Sequence, residues 1–261
     1  MSHKILSKKW VLIRGLIRSR EHWGDFPEKL KVRLNLESAQ CVELPGNGYL
    51  NTEITPTKID DVISSFKKQI SGVNEPIGII GISLGGMLAA KWAQAFPGEV
   101  SHLILINSSS PLNSFHERLL IKNYPGIFKT LFFSDPVQIE EFILGVSSNE
   151  VSKWNPLLHS YSNFQAAHPV STMNFIRQLR LTSQVDFKVV PQAESLILTS
   201  TKDRLVHHKC SEQIAQTWNC PIHFHNRAGH DLPLDDAEWV LDQIVFSLNR
   251  SAVSAAEVTS N

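Results

Sequence analysis

The sequence predicts an α/β fold in which helices flank a mostly parallel β-sheet. Short runs of β-branched and other apolar residues alternate with segments of helical periodicity, the order typical of parallel sheets. The chain has 261 residues, of which 42% are hydrophobic, so it can bury a sizeable core within one domain. The alternation stops after Asn107 and resumes near residue 195, which indicates a large insertion.

The strands are predicted from apolar runs and the helices from helical periodicity, each bounded by turn residues. Pro45-Gly46-Asn47-Gly48 breaks the second strand, and Pro97-Gly98 ends the third helix. The predicted strands are residues 10–13, 40–44, 77–82, 102–106, 195–199 and 222–225. The predicted helices are residues 23–36, 57–70, 84–96, 207–218 and 235–249.

The interruption divides the chain into a core and an insertion. We expect residues 1–107 and 182–250 to form the core, residues 108–181 a helical lid, and residues 251–261 a disordered tail. Aromatic and apolar side chains are frequent in the lid segment, among them Phe128, Leu131, Phe132, Phe133 and Phe142. They either line an apolar pocket or form the lid's own core, and both interpretations stay open.

The charge balance excludes several classes of protein. Lysine plus arginine and aspartate plus glutamate number 25 each, so no global field favours nucleic acid or an anionic membrane as a partner. No apolar run is long enough to span a bilayer, and the first residues lack the apolar stretch of a secretory signal. We therefore expect a cytoplasmic protein. Its three cysteines have neither metal-ligand nor disulfide-framework spacing.

One serine lies where a nucleophile is expected. Ser83, in Gly81-Ile82-Ser83-Leu84-Gly85, joins the strand at 77–82 to the helix at 84–96, the context that a G-x-S-x-G nucleophile elbow requires. Side chains at Gly81 and Gly85 would collide with the neighbouring strand and helix. The start of the helix directs the backbone N–H of Leu84 toward a developing oxyanion.

A serine hydroxyl needs a base and an acid that orients the base. Asp203 follows the strand at 195–199, and His230 follows the strand at 222–225. In a parallel sheet both loops open at the carboxyl edge, where Ser83 lies. The acid could instead be one of four other carboxylates, Asp186, Asp231, Asp235 or Asp236. Asp203 is favoured because Asp231 adjoins the histidine and the pair at 235 and 236 suits a helix N-terminus.

Histidine pairs could suggest a metal site. His223 and His225 share one face of a strand and could combine with His230, or with His207 and His208. No carboxylate or cysteine stands near them in a recognisable ligand spacing. We predict no metal.

Together these motifs resemble the α/β-hydrolases, in particular the lid-bearing esterase, haloperoxidase and proline-iminopeptidase-like group. The resemblance covers about residues 10–249 and rests on the turn at Gly15 and on the segments ELPGNG, GISLGG, TKDRLV and AGHDLPLDDAEWV. It implies a Ser83, Asp203, His230 triad, a second oxyanion donor at the backbone N–H of Leu16, and no cofactor. The catalytic site residues predicted are thus Ser83, Asp203 and His230, with Leu16, Leu84, Gly81 and Gly85 around them.

The sequence departs from this group at two positions. Arg14 stands where the family often has histidine and would place a cation near the site, and Asn47 stands where an aromatic residue or histidine is common. Neither side chain is required chemically, because the oxyanion donors are backbone groups.

The resemblance implies a serine hydrolase that cleaves carboxylic esters, a carboxylesterase, acting on a small-molecule ester with an apolar acyl or alcohol group. One alternative is a thioesterase or methyl esterase that acts on a carrier-bound acyl chain. A second is a non-catalytic ligand-binding relative, which the intact triad disfavours. The sequence does not predict acyl chain length, stereoselectivity or oligomeric state.

Overall fold

The computed structural model describes residues 7–72, 74–123, 125–126 and 135–259. Its strands form one six-stranded sheet in the order β2-β1-β3-β4-β5-β6. All five neighbouring pairs are parallel, so the predicted α/β class and parallel sheet are confirmed. The strands are β1 (Lys9–Ile13), β2 (Ser38–Val42), β3 (Ile77–Ile82), β4 (Val100–Ile106), β5 (Glu194–Ser200) and β6 (Ile222–His225).

Helices cover both faces of the sheet because successive strand side chains point to opposite faces. The helices of the core are α1 (Phe26–Leu34), α2 (Ile59–Gln69), α3 (Leu84–Ala95), α8 (Lys209–Trp218), α9 (Leu232–Asp235) and α10 (Ala237–Thr259). Ile79 packs in one buried cluster with α2, α3 and α8, and its neighbour Ile80 packs in the other with α1 and α10. The apolar stripe of each amphipathic helix therefore lies on the sheet.

The first helix begins later than the sequence predicts. Arg20–Trp23 form a separate 3₁₀ helix that ends at Gly24, whose φ is 54°. Helix α1 starts after Asp25, with Pro27 in its first turn, where the missing N–H of proline costs nothing. Periodicity alone predicts one helix over residues 23–36, but Gly24, with its positive φ, separates Trp23 from α1.

The last helix is longer than predicted. It begins after Asp236, whose side chain accepts a hydrogen bond from Trp239 N at 3.1 Å, and it continues to Thr259 rather than ending near residue 249. Residues 251–261, which the sequence analysis expects to be disordered, are helical as far as Thr259. The alanine-rich sequence there continues a helix at low cost.

Residues 108–181 lie between β4 and β5, and their described secondary structure is helical. We call this segment the insertion. Its helices are α4 (Phe115–Arg118), α5 (Pro136–Ser147), α6 (Trp154–Ala167) and α7 (Thr172–Leu181), with short 3₁₀ helices at Ile121–Asn123 and Val151–Lys153. Of the aromatic and apolar side chains that the sequence analysis singles out here, Phe128, Leu131, Phe132 and Phe133 lie outside the described residues.

Candidate active site

Ser83 lies at the sharp junction between β3 and α3. Its φ is 56° and its ψ −120°, a backbone conformation that non-glycine residues rarely adopt. Its N–H donates to Ile106 O of the neighbouring strand at 2.9 Å. A Cβ atom at Gly81 would lie 2.4 Å from Gly85 O, and one at Gly85 would lie 2.3 Å from Ile13 O. Both glycines thus permit the helix to start directly against the sheet.

Asp203 and His230 are hydrogen-bonded to each other. His230 Nδ1 lies 2.7 Å from Asp203 Oδ2, and the two side chains are 8% and 2% exposed respectively. The other carboxylate oxygen accepts from Leu205 N at 2.7 Å and from Val206 N at 3.0 Å. A carboxylate held at Nδ1 places the ring proton there and leaves Nε2 of the imidazole to act as a base.

Ser83 Oγ makes no hydrogen bond to His230 in the part of the chain that the structure describes. The two residues are placed at one edge of the sheet by the strands that precede them, since Ser83 follows β3 and His230 follows β6. Catalytic hydrogen bonds are often absent or long in unliganded enzymes. The role of each residue in catalysis stays a prediction.

Asn107, which directly follows β4, links these strand ends. Its Nδ2 donates to Gly229 O at 3.2 Å and to His230 O at 2.8 Å. Its Oδ1 accepts from Ser200 N at 2.8 Å and from Thr199 Oγ1 at 3.2 Å. Asn107 is buried, and its backbone φ is 45°. One amide therefore fixes residues 226–231, which we call the histidine loop, to β5, the strand that precedes Asp203.

A tight turn from Gly15 to Arg18 follows β1 and lies against Ser83. Arg18 N donates to Gly15 O at 3.2 Å, and a Cβ atom at Gly15 would lie 3.2 Å from Ser83 Cβ and 3.8 Å from Ser83 Oγ. Within the described residues, the backbone N–H groups of Leu16 and Leu84 donate no hydrogen bond. Free N–H groups beside a serine hydroxyl are what an oxyanion hole requires.

Arg14 does not present a free cation to the site. Its guanidinium forms a two-pronged ion pair with Asp231, with Nη1 3.1 Å from Oδ1 and Nη2 in contact with Oδ2, and both side chains are buried. Burial alone would raise the pKa of Asp231, but Arg14, together with Arg18 and His230, holds that pKa below its usual value. The pair neutralises the charge that the sequence leads us to expect and ties the loop after β1 to the histidine loop.

His22 is packed under the insertion. Its ring lies 4.5 Å from that of Tyr161 and 5.8 Å from that of Phe164. Burial, together with the positive charges of Arg18 and Arg14, lowers the pKa of His22 well below its usual value. The side chain is therefore neutral at physiological pH.

The insertion forms hydrogen bonds to the loops that follow β1, β5 and β6 at the carboxyl edge of the sheet. Ile17 N donates to Gln178 Oε1 at 3.1 Å, and Leu120 N donates to Leu205 O at 3.0 Å. In the histidine loop, Asp231 N donates to Ser147 O at 2.8 Å. These contacts place the insertion over the carboxyl edge of the sheet.

The described contacts between the insertion and the core include many polar groups. Arg18 Nη1 lies 2.9 Å from Glu140 Oε1 and 2.6 Å from Oε2, and both side chains are buried. Phe142, the described member of the aromatic group, is partly exposed and lies beside Gly126, where a Cβ atom would come within 2.1 Å of its ring. Phe142 thus serves the packing of the insertion itself.

The other carboxylates proposed as the acid have different partners. Asp231 is held by Arg14, and Asp236 caps α10. Asp235 Oδ2 accepts from Gly229 N at 2.6 Å and from Asn149 N at 2.9 Å, which ties the histidine loop to the insertion. Asp186 accepts from Lys188 N in a surface turn.

The histidine pairs have ordinary structural contacts. His225 is buried, its Nδ1 accepts from Ala228 N at 2.8 Å, and its Nε2 lies 3.2 Å from Asp236 Oδ2. His223 packs edge-on against Phe246. In the described ranges no group of three or more histidine, cysteine, aspartate or glutamate side chains is arranged to hold a metal ion. In the same ranges no helix is both long and apolar enough to cross a membrane.

Sequence reasoning missed the residues that connect the loops. Asn107, Glu140, Gln178 and Asp235 each bond to a segment distant in sequence. Asn107 carried one usable signal, since a polar amide directly after a buried strand stands at the functional edge of a parallel sheet. Glu140 and Gln178 stand in helical segments with no local pattern that distinguishes them from surface residues, and the pattern around Asp235 indicates a helix N-terminus rather than a link to the insertion.

Solved structures share this architecture. A putative lipase from Acinetobacter baumannii is 20% identical, with a TM-score of 0.72 over 95% of this chain and 85% of that chain. A meta-cleavage product hydrolase from Pseudomonas fluorescens is 16% identical, with a TM-score of 0.75 over 94% of this chain and 92% of that chain. An esterase from Exiguobacterium antarcticum is 17% identical, with a TM-score of 0.71 over 94% of this chain and 93% of that chain. At these identities the likeness shows the fold.

The sequence comparisons place the chain in a family. No curated protein matches it significantly. The family model described as the alpha/beta hydrolase family matches residues 10–243, which include the β3–α3 junction and both loops that carry Asp203 and His230. This chain belongs to the α/β-hydrolase family.

Proposed function

We propose that this α/β-hydrolase cleaves carboxylic esters through a Ser83, His230, Asp203 triad and an acyl-enzyme intermediate. The observation that carries the proposal is the 2.7 Å hydrogen bond between His230 Nδ1 and Asp203 Oδ2 at the sheet edge where Ser83 lies. The N–H groups of Leu16 and Leu84, which donate no hydrogen bond within the described ranges, support it.

The geometry suits two successive acyl transfers. Ser83 Oγ attacks the ester carbonyl carbon while His230 Nε2 takes its proton, and Asp203 stabilises the imidazolium. The N–H groups of Leu16 and Leu84 stabilise the oxyanion of the tetrahedral intermediate. His230 then donates the proton to the leaving alcohol, and the acyl group remains on Ser83. Water activated by His230 hydrolyses the acyl-enzyme and restores the free serine.

Covalent labelling tests the nucleophile. A fluorophosphonate probe should add once to the protein, at Ser83, and the adduct should be absent in Ser83→Ala. Ser108→Ala is the matched control, because Ser108 Oγ donates to Ser83 O at 3.1 Å and its loss leaves the nucleophile in place. Intact-mass and peptide mass spectrometry measure both. Labelling that persists in Ser83→Ala would contradict the assignment.

A substrate panel tests the reaction class. p-Nitrophenyl esters of two-carbon to twelve-carbon acids, acyl thioesters and aminoacyl amides should be compared at equal enzyme concentration. We expect the highest kcat/KM with an ester that carries an apolar acyl or alcohol group, given the aromatic residues of the insertion. Preferential cleavage of thioesters or amides would reassign the substrate class and leave the triad assignment intact.

A further inference from the structure

The turn that carries Leu16 has a strained backbone. Ile17 has a φ of 54°, in the left-handed region that β-branched residues avoid because Cβ approaches the following carbonyl oxygen. An isolated turn with this sequence would relax to a negative φ at Ile17. The native conformation must therefore be held by contacts with other parts of the chain.

A buried glutamine of the insertion supplies such contacts. Gln178, on α7, is fully buried, and its Oε1 accepts the hydrogen bond from Ile17 N at 3.1 Å. Its Nε2 donates to Asn47 Oδ1 at 2.6 Å, and Asn47 Nδ2 donates to Arg18 O at 3.1 Å. The chain of three hydrogen bonds thus holds the N–H of Ile17 and the carbonyl of the next residue in fixed directions.

A second helix of the insertion binds the same turn through the side chain of Arg18. Glu140, on α5, accepts from Arg18 Nη1 with both carboxylate oxygens. The turn is therefore attached to α7 through its backbone and to α5 through a buried ion pair. Neither attachment involves Ser83, Asp203 or His230.

We propose that Gln178 is a positioning residue for the oxyanion hole, so that the insertion sets the geometry of catalysis as well as covering the site. The inference rests on the proposed function, in which the N–H of Leu16 binds the oxyanion. If the bond to Gln178 is lost, the peptide between Leu16 and Ile17 can rotate, and the adjoining Leu16 N–H leaves its position. The transition state then loses stabilisation while binding of the uncharged ester changes little.

The test compares two variants of the same helix. Gln178→Met keeps the length of the side chain and removes both hydrogen bonds. Asn174→Ala is the matched control, because Asn174 is one turn earlier, is buried, and bonds to Thr55 N at 3.0 Å and Glu53 O at 2.9 Å, away from the turn. Both variants lose contacts between insertion and core, but only Gln178→Met releases Ile17.

We expect Gln178→Met to lower kcat for p-nitrophenyl acetate by roughly tenfold to a hundredfold, with KM changed by less than about threefold. The rate of fluorophosphonate labelling at Ser83 should fall by a similar factor. Asn174→Ala should keep kcat within about threefold of wild type even where urea denaturation shows lower stability. Equal kcat losses in the two variants, or none in Gln178→Met, would overturn the proposal.

Amide hydrogen exchange supplies a readout that does not depend on catalysis. Exchange in the segment 14–19 should become faster in Gln178→Met and stay at the wild-type rate in Asn174→Ala. If the wild-type protein neither hydrolyses esters nor labels at Ser83, the proposed function fails, and exchange still decides whether Gln178 holds the turn. If Gln178→Met does not fold, Gln178→Leu takes its place, because it also removes both hydrogen bonds, and a folded Gln178→Leu protein with wild-type kcat and exchange overturns the proposal.

Discussion

Asp203 uses both of its carboxylate oxygens. Oδ2 faces His230 Nδ1, and Oδ1 accepts from two backbone N–H groups of the following turn. The side chain cannot rotate without breaking these bonds, so the imidazole is held in one orientation. In the proposed triad, Asp203 has to hold the imidazole of His230 in a fixed orientation, because a ring that points elsewhere cannot take the proton of Ser83.

Replacement of this acid should therefore be costly. We expect Asp203→Asn to lower kcat by roughly four orders of magnitude, because the amide favours the wrong tautomer of His230 while leaving the geometry intact. Asp186→Asn is the control, since Asp186 is exposed and its carboxylate accepts from Lys188 N in a surface turn. Steady-state hydrolysis of a p-nitrophenyl ester measures both variants, with circular dichroism to verify folding. Near-wild-type turnover of Asp203→Asn would assign the acid to another residue.

At the scale of elements, two buried ion pairs connect segments around the site. Arg14 and Asp231 join the loop after β1 to the histidine loop. Arg18 and Glu140 join the turn from Gly15 to Arg18 to α5. Buried charges are costly to desolvate, so each pair stabilises the structure only while both partners are present. The second pair is one attachment of α5 to the core, beside the hydrogen bond from Asp231 N to Ser147 O.

Glu140→Ala should leave Arg18 buried without its partner. We expect the free energy of unfolding, measured by urea denaturation, to fall by about 3 to 5 kcal/mol. The double variant Arg18→Met with Glu140→Leu should recover most of that loss, because it removes both charges. Glu238→Ala removes an exposed partner of Lys29 and Arg33 and should cost less than about 1 kcal/mol. A double variant as unstable as Glu140→Ala would show that the contribution is packing rather than charge.

At the scale of the whole molecule, Glu43 makes stability depend on pH. Its side chain is buried, Oε2 accepts from Ser19 Oγ at 3.1 Å, and Oε1 has no partner among the described residues. Burial raises the pKa of Glu43 to about 7. The folded protein then binds more protons than the unfolded chain between the ordinary glutamate pKa and about 7, so stability falls as pH rises through this window.

Glu43→Gln should remove this dependence. A shift from 4.5 to about 7 corresponds to about 3 kcal/mol between the two protonation states. We therefore expect the variant to exceed the wild type in free energy of unfolding at pH 8 by up to about that amount, and to approach it at pH 4.5. Urea denaturation across this pH range measures the difference. A constant difference at all pH values would show that Glu43 does not titrate there.

Local sequence patterns predict the elements that carry the proposed triad. The strand β3 was predicted with both of its ends, because its apolar run stops at the glycine-flanked Ser83. The order of strands and loops also placed Asp203 and His230 at the same sheet edge, where the structure joins them. Such features are local, since apolar runs, turn residues and helix starts depend on neighbouring residues alone.

The contacts that hold these elements together, in contrast, depend on tertiary packing. Gln178 reaches Ile17 across 161 positions of sequence, and Arg14 reaches Asp231 across 217. Asn107 bonds to the loop that follows β6 and to the end of β5. These pairings result from burial, because a polar group that is removed from water needs a hydrogen-bond partner, and the fold determines which partner lies within reach. Local sequence patterns do not show which partner a buried polar group will have. The sequence around Gln178 is equally compatible with an exposed helix.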